Sequence, residues 1–557
     1  GARHMIDAAD WDLYARTGTS HLMAISGLHI GLAAGFAYLL SWSLLALAGK
    51  QGNIRDAALV AAIATAALYA AVAGFAVPAR RALLMAGGGV LAVLLRRRVS
   101  ASHLVAVPCL LIFITDPLAI LAPGFKLSFA AVAILIAIAG QHVRPSVRVG
   151  NPAGAAIAWI TRLGNLQIAL LVALFPLTAL IFGRFAPLAP VANMLILPVF
   201  NFLTVPLTLV SALLEYGFAS QGEYLLRAAH VTVEFVVRLL RTLDRLPYAD
   251  QQLKFLSGPI VGVALLPALS ILLPLGWPGR KLALLALFAV LGYKPPETPG
   301  GCLDYHVLDV GQGLAVFVRT SDHALLYDTG PVFATGNSAA EFVVLPFLLG
   351  HGVTRLDRLI VSHADLDHAG GIQPVLAKLP VQQVMTGEII AGVNTRHTRC
   401  VAGISWRADD AVYSILHPRL RAPWTRNNSS CVLEINMGEH RLLLSGDIEA
   451  PVEKLLVYRQ AVRRSNVLVV PHHGSRTSST LPLVRATRPG TAIVAAGFGN
   501  RWGFPKADVV SRWESVGAKV LNTAFSGSLS QRLCAGTSPG PIHRERLESR
   551  KYWHDIP

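Results

Sequence analysis

The chain of 557 residues is 53% hydrophobic and only 15% charged, with a formal net charge of +17 and a mean hydropathy of +0.51. Average soluble domains carry about 25% charged residues, so this composition excludes a disordered chain, a collagenous repeat and a small disulfide scaffold. Long apolar runs argue against a wholly soluble enzyme. Up to residue 299 there are 22 Lys and Arg against 11 Asp and Glu, and from residue 300 onward 27 against 21, so the apolar half is the more basic one. Two readings of that excess stand. Membrane loops collect Lys and Arg for topology and headgroup contact, and a polyanion such as nucleic acid also selects positive charge.

Residues 1–21 are polar, begin at Gly1 without an initiator Met, and lack the basic-then-apolar order of a secretory signal. They read as a pre-span remnant of a longer protein, with His4-Met5 as a cloning scar. Residues 22–292 form the expected membrane domain. Its clearest apolar runs are 22–48, 57–77, 103–122, 127–141, 156–182, 188–214 and 256–275, with weaker ones at 82–95 and 281–292. At about 20 apolar residues per span this predicts seven to nine spans, with the short runs 82–95 and 127–141 as re-entrant pieces. Gly27, Gly31 and Gly35 at four-residue spacing suit close helix packing, and Pro108, Pro176, Pro198 and Pro206 suit kinks or broken helices. His21, Ser26 and His29 stand at the start of the first span. A packing role and a channel contact are both open for them, since polar groups in an apolar run are costly unless used. Residues 223–246 alternate apolar and basic groups at helical spacing and predict an amphipathic helix at the membrane surface or facing a charged strand.

Residues 293–301, rich in Pro and Gly, read as a linker. From 302 to 557 the pattern changes to short strands alternating with helices, which predicts a soluble α/β domain. Strand-like runs are 305–310, 314–319, 324–327, 358–361, 431–435, 441–444, 467–470 and 491–495. The five cysteines, Cys109, Cys302, Cys400, Cys431 and Cys534, are odd in number and lack CxxC spacing. They define no disulfide framework and no redox compartment.

The chemistry concentrates in Ser362-His-Ala-Asp-Leu-Asp-His-Ala-Gly-Gly371. Four ligand types, His363, Asp365, Asp367 and His368, fall within six residues directly after an apolar strand. Imidazole with carboxylate suits Zn²⁺, or Mn²⁺ where carboxylates dominate. Asp447 ends another strand, the pair His472 and His473 follows a third, and Asp328 follows a fourth. This order resembles the metallo-β-lactamase fold, with its HxHxDH motif present as His363-x-Asp365-x-Asp367-His368. The resemblance implies an αββα sandwich holding one or two divalent ions, Mn or Zn, with Asp367, His368 and Asp447 as catalytic groups. Asp447 matches the acid that bridges two metals, and either His472 or His473 matches the last histidine. Two departures are visible. Asp365 stands where the second histidine is usual, and no third-motif histidine is evident between 372 and 446, where His397, His417 and His440 lack the expected setting. Asn427, Asn428 and the following serines take that place. Ser475, Arg476, Thr477 and Ser478 offer either a phosphate-binding loop or a capped, solvated one.

Joined to Asp309-Val-Gly-Gln-Gly313, Thr17–His29 and Phe125–Phe129, these motifs resemble the ComEC family of competence proteins across nearly the whole chain. The expected fold class is then a polytopic α-helical membrane domain followed by a soluble metallo-β-lactamase-like αββα sandwich. The resemblance implies a bacterial inner-membrane channel that takes up single-stranded transforming DNA. It also implies a metal-dependent nuclease domain for the other strand, and separate DNA-receptor and ATP-motor proteins, since no GxxxxGK[ST] motif is present. Leu314 departs from the acid that often follows DVGQG. Two alternatives remain: a membrane-tethered phosphodiesterase on a non-DNA substrate, and a DNA channel whose soluble domain binds DNA but is catalytically inert.

Overall fold

The computed structural model describes residues 6–23, 27–49, 52–141, 152–215, 219–247, 251–252, 258–273, 277, 279–334, 336–390, 397–420 and 424–550. The chain divides into two compact units, Gly1–Tyr293 and Lys294–Pro557.

The first unit is helical. In chain order it contains α1 (Ala8–Arg16), α2 (Ser20–Met23), α3 (Gly27–Leu47), α4 (Ile54–Val72), α5 (Val77–Leu94) and α6 (Ala101–Thr115). There follow α7 (Pro123–Gln141), α8 (Pro152–Phe182), α9 (Ala189–Val199), α10 (Val205–Leu214), α11 (Ala219–Asp244), α12 (Gly258–Leu272) and α13 (Gly279–Leu291). A short ladder pairs β1 (Arg184–Phe185) with β2 (Gln251–Gln252). Five helical stretches among the described residues are long and apolar enough to cross a membrane: 27–47, 54–72, 77–94, 154–182 and 189–212. The run at 82–95, expected to be re-entrant, is part of an 18-residue helix because the turn at Phe75 and Pro78 starts it five residues earlier. Conversely α6 and α12 are only 15 residues long.

Small residues do the packing here. Ala58, Ala62, Ala66 and Ala70 form the buried stripe of α4, and Ala66 and Ala70 meet Ile30 of α3 and Ala79 of α5. Of the three spaced glycines, only Gly27 abuts a neighbour, with Arg81 and Ala82 where a Cβ would stand; Gly31 and Gly35 face open space. Pro198 and Pro206 do not break the chain into half-helices. A π-helical turn, Phe200–Thr204, joins α9 to α10 and absorbs the hydrogen bond that the proline ring cannot donate. The amphipathic α11 buries Ala229, Val236 and Leu240, the last two within a cluster that includes Leu13 and Tyr14 of α1 and Ile196 of α9. Its outer arginines pair at i,i+4, Arg227 with Glu223 and Arg238 with Glu234; its apolar stripe meets protein around Val236 and Leu240, while Leu226, Val231 and Phe235 stay exposed.

The second unit stacks two mixed sheets. The first has eight strands in the order β17-β16-β3-β4-β5-β6-β7-β8, namely His543–Arg544, Leu529–Cys534, Cys302–Val307, Val316–Arg319, Ala324–Tyr327, Leu356–Val361, Val381–Thr386 and His397–Arg399. The second has seven in the order β15-β14-β13-β12-β11-β10-β9, namely Lys519–Asn522, Thr491–Val494, Val467–Val469, His440–Leu444, Val432–Met437, Ala411–His417 and Ser405–Ala408. Inward residues of both sheets, such as Tyr305, Val316 and Tyr327 against Tyr413, Leu442 and Val469, form the central core. Outer cores cover the far faces, one under the helices around 340–350 and 372–378, the other under those around 450–458, 481–487 and 507–514. This is the αββα sandwich.

Strands β5–β8 and β12–β15 run parallel within their sheets. Their carboxyl ends therefore bring Asp328, Ser362, Asp447, His473 and Ala495 to one edge, the usual place for a site in an open α/β sheet. The cysteine reading is corrected. Cys302 pairs with Cys534 and Cys400 with Cys431 in disulfides, leaving Cys109 free. The partners are 232 and 31 residues apart, and Cys302 and Cys534 face each other through β3–β16 pairing, a register that spacing does not reveal.

Candidate metal centre

Asp367, His368, Asp447 and His473 each aim one donor atom at a common point, all within 4.8 Å of one another. His368 Nε2 lies 3.2 Å from Asp447 Oδ1 and 3.2 Å from His473 Nε2. His473 Nε2 lies 3.4 Å from both Asp447 Oδ2 and Asp367 Oδ2. Metal–donor bonds of about 2.0–2.2 Å in a tetrahedral site place neighbouring donors roughly 3.3–3.6 Å apart; these four distances lie near that spacing, and His368 Nε2 to Asp367 Oδ2 is wider at 3.9 Å.

Hydrogen bonds behind the two imidazoles fix how they point. His368 Nδ1 is 2.7 Å from Asp328 Oδ2. His473 Nδ1 is 2.6 Å from the carbonyl oxygen of Ala495, to which it must donate. With both Nδ1 atoms so engaged, both Nε2 atoms converge, and two converging lone pairs call for a cation. Asp328 is fully buried with φ +60° and also accepts from Ser362 N at 2.6 Å and Ser362 Oγ at 2.8 Å. Thr329 donates from N and Oγ1 to the His368 carbonyl. Gly313 stands against the backbone of Asp367: its φ is +146°, and a Cβ there would meet the Asp367 carbonyl oxygen at 2.4 Å. The Gly-rich turn thus holds the metal loop in place, and Leu314 N donates to that same carbonyl.

Within the cluster the charges compensate one another. Burial opposes ionisation of Asp447, yet His368 and His473 outweigh it and hold the carboxyl well below the ordinary range. Burial likewise opposes charge on Asp367, but His473 and His368 bring its pKa to about 2. Both histidines are desolvated, which disfavours the imidazolium. Asp447 and Asp328 nevertheless raise His368 well above its usual value, and Asp447 and Asp367 raise His473.

The other expected site residues divide. His363 is buried beside the cluster, with Nδ1 3.0 Å from Ser362 Oγ and 3.4 Å from Ser430 Oγ, and its Nε2 faces Asp365 Oδ2 at 3.7 Å. Among the described residues, no imidazole completes this second position. His417 bonds the Asn428 carbonyl, His440 bonds the Thr537 carbonyl, and His397 lies on β8. Ser430 stands there instead, taking the Asp447 N–H at 3.0 Å. His472 sits at the rim, with Nδ1 2.9 Å from Thr477 Oγ1 and Nε2 3.4 Å from the Asn427 amide. Asn428 is spent on Glu449, giving and accepting one bond. The 475–478 loop is capped internally: Ser475 faces Thr477, Ser478 donates to the Pro471 carbonyl, and Arg476 pairs with Asp508. In the first unit, His21 bonds the Gly18 carbonyl on α2, while His29 is buried on α3 against Phe200 of the π turn. They occupy different helices, and Ser26 lies outside the described residues. Asp328, though visible as a strand-end acid, and Ser430 were not among the expected ligands; a polar group after each parallel strand was the available signal.

Fold and site together define a helical membrane domain joined to a metallo-β-lactamase-type domain with four donors that could hold a metal ion. Family models agree in both halves: the Competence protein model matches residues 1–280 and the metallo-beta-lactamase superfamily model residues 308–497. The chain is 33% identical to Competence protein ComA of Neisseria gonorrhoeae, over 98% of this chain and 75% of that one. It is 31% identical to Recombination protein 2 of Haemophilus influenzae, over 95% and 70%. Among solved structures, the metallo-beta-lactamase fold protein YhfI of Bacillus subtilis matches at 13% identity and a TM-score of 0.28, covering 43% of this chain and 98% of that one. The chain belongs to the competence-protein family and is a membrane protein.

Proposed function

We propose that this chain is a multi-pass inner-membrane channel that takes up one strand of transforming DNA, and that its second unit hydrolyses the phosphodiesters of the other strand with a divalent metal, Mn or Zn. The observation that carries the hydrolytic part is the convergence of His368 Nε2, His473 Nε2 and the carboxylates of Asp367 and Asp447, with both Nδ1 atoms already engaged. Bound there, an ion supplies Lewis acidity to a phosphoryl oxygen and to an attacking water. The residues do the rest. Asp328 and the Ala495 carbonyl orient the two imidazoles, Asp447 spans both of them, and Asp367 completes the set from the partly exposed side, where substrate enters. One ion is proposed, because His363 and Asp365 provide only two donors and Ser430 replaces a third imidazole.

Two further features support the reading. The two disulfides suit an oxidising compartment, which favours the soluble unit outside the cytoplasm. The basic first unit suits a polyanionic cargo. A separate receptor and a separate ATP motor are proposed as partners. The test is to purify the full chain in detergent, measure bound metal, and assay single- and double-stranded DNA with Mn²⁺ or Zn²⁺, beside Asp367→Ala and Asp447→Ala. Metal-dependent cleavage lost in both variants is expected. A folded protein with neither metal nor cleavage would overturn the nuclease and favour a DNA-binding domain in its place.

A further inference from the structure

The loop between β14 and the helix Ala507–Glu514 reads Ala-Ala-Gly-Phe-Gly-Asn-Arg-Trp-Gly-Phe-Pro-Lys over residues 495–506 and contains no acidic residue. It presents two aromatic rings that the core does not use, while a third, Phe504, is half-buried against the outer core. Phe498 is 62% exposed and Trp502 44%. Exposed rings of this size are costly in water and, in a loop, call for a reason.

The loop is also built rather than loose. Asn500 pins it from inside: its amide nitrogen donates to the carbonyls of Gly497 at 2.9 Å and Phe504 at 2.7 Å, and its oxygen accepts from Phe504 N at 2.8 Å. The rings are arranged on this frame. Trp502 and Phe504 lie with their planes within 14° of each other. The Arg501 guanidinium sits 4.3 Å from the Trp502 ring centre, and Lys506 Nζ lies 5.6 Å from that of Phe504. Phe498 meets Phe525 edge to face.

The frame is tied to the metal centre at both ends. Ala495 supplies the carbonyl that orients His473, Gly497 N donates to Gln312 of the Gly-rich turn, Lys506 N donates to the Gly474 carbonyl, and the Phe504 ring packs on His472 at 5.9 Å. A continuous path of rings therefore runs from His473 through His472 and Phe504 to Trp502.

We propose that Phe498 and Trp502, backed by the half-buried Phe504 and with Arg501 and Lys506 beside them, form a base-stacking platform for a single-stranded nucleic acid whose backbone leads into the Asp367–His473 donor cluster. The inference rests on reading that cluster as a phosphodiester site. Flat faces for bases and cations for phosphates, without sequence-specific donors, are what sequence-tolerant single-strand binding requires. A guanidinium laid on an indole extends the stacking surface. Lipid is the competing occupant. The Gly-rich backbone, the absence of carboxylates within the loop, and the continuity with the donor cluster favour the polyanion.

The experiment uses the full chain in nanodiscs of phosphatidylcholine and brominated phosphatidylglycerol. It measures binding of a 12-mer oligothymidylate and of an abasic 12-mer of the same charge, together with fluorescence of a 2-aminopurine-bearing 12-mer. Trp502→Ala is expected to weaken the base-bearing 12-mer about tenfold, to change the abasic 12-mer less than twofold, and to relieve 2-aminopurine quenching, with metal content unchanged. Trp502→Phe is expected to restore most of the loss. Equal loss for both oligonucleotides, or none, overturns the platform. So does a Trp502-dependent quenching by brominated lipid with oligonucleotide affinity intact, which would make the loop a membrane contact. The two proposals fail separately. If the wild type binds no metal and cleaves nothing, yet Trp502→Ala shows the base-dependent loss, the platform stands without the nuclease. If cleavage needs Asp447 while Trp502→Ala binds both 12-mers as the wild type does, the nuclease stands without the platform.

Discussion

The two units use apolar residues in opposite ways. In the second, the largest side chains are inside: Trp513, Tyr305, Tyr327, Tyr413 and Phe317 are almost fully buried. In the first, large residues such as Phe36, Leu47, Leu68 and Val72 point outward, and alanines line the contacts of α4. Water expels apolar surface, so a soluble core fills with bulk. Lipid offers no such drive between helices, so small residues that permit close approach take the interface. Polar chemistry follows the same division. The first unit ties down charges in ion pairs between helices, such as Arg16 with Asp244, whereas the second gathers them at the ends of parallel strands.

The comparison can be broken most sharply at Trp513, which is buried and donates to Ser479 Oγ at 3.1 Å. Trp513→Ala should cost about 3–5 kcal/mol in denaturant unfolding followed by near-ultraviolet signals of the second unit. Next comes Asp328→Asn, which keeps shape but removes the charge behind His368. Metal affinity should fall roughly 10–100-fold by competitive chelator titration, with folding retained; unchanged affinity would remove Asp328 from the site. Ala66→Leu in the packed stripe of α4 should destabilise the first unit by about 1–3 kcal/mol through overpacking, seen in thermal unfolding in detergent. Proton linkage comes after these. His368 and His473 have raised pKa values when metal-free, so the stability they add is complete below about 6.5 and is lost as pH rises through the raised values. Metal-free protein should therefore lose melting temperature from about pH 6.5 upward, loading should release protons, and apparent affinity should rise with pH. Titration calorimetry in buffers of different ionisation enthalpy checks this. Smallest is Leu68→Ala, outward on the same helix as Ala66, expected within about 0.5 kcal/mol. A loss equal to that at Ala66 would mean the outward face is not a lipid face.

Much of the site was legible because it is local. His363 to His368 occupy six consecutive positions, and one loop after one strand places them together whatever the rest does. The other donors were visible as polar groups following apolar strands, but their meeting was not. His473 rather than His472 joins the cluster because the turn at Pro471–Gly474, with φ +50° and +53° at the two histidines, sends one ring inward and the other to the rim. Ser430 at the second position arises where β11 begins beside Ser362, through the Cys431 N–H to Ser362 carbonyl bond. Two of the strands escaped the pattern: Val381–Thr386 carries two glutamines after its first residue and is buried only over its last three residues, and Ala411–His417 alternates in burial but carries Val412 and Leu416 on its outer face, which hides the alternation in the sequence.

The sequence by itself determined the division into a helical membrane half and an α/β half, and the metal-loop motif, because hydropathy and ligand spacing are properties of neighbours along the chain. The tertiary structure alone decided which helices reach spanning length, that four cysteines pair, that Asp328 stands behind His368, and that the 495–506 loop opens beside the donor cluster. These depend on strand order and register, which bring together residues up to 232 positions apart, and no local pattern encodes a contact between two segments that meet only once the sheets are assembled.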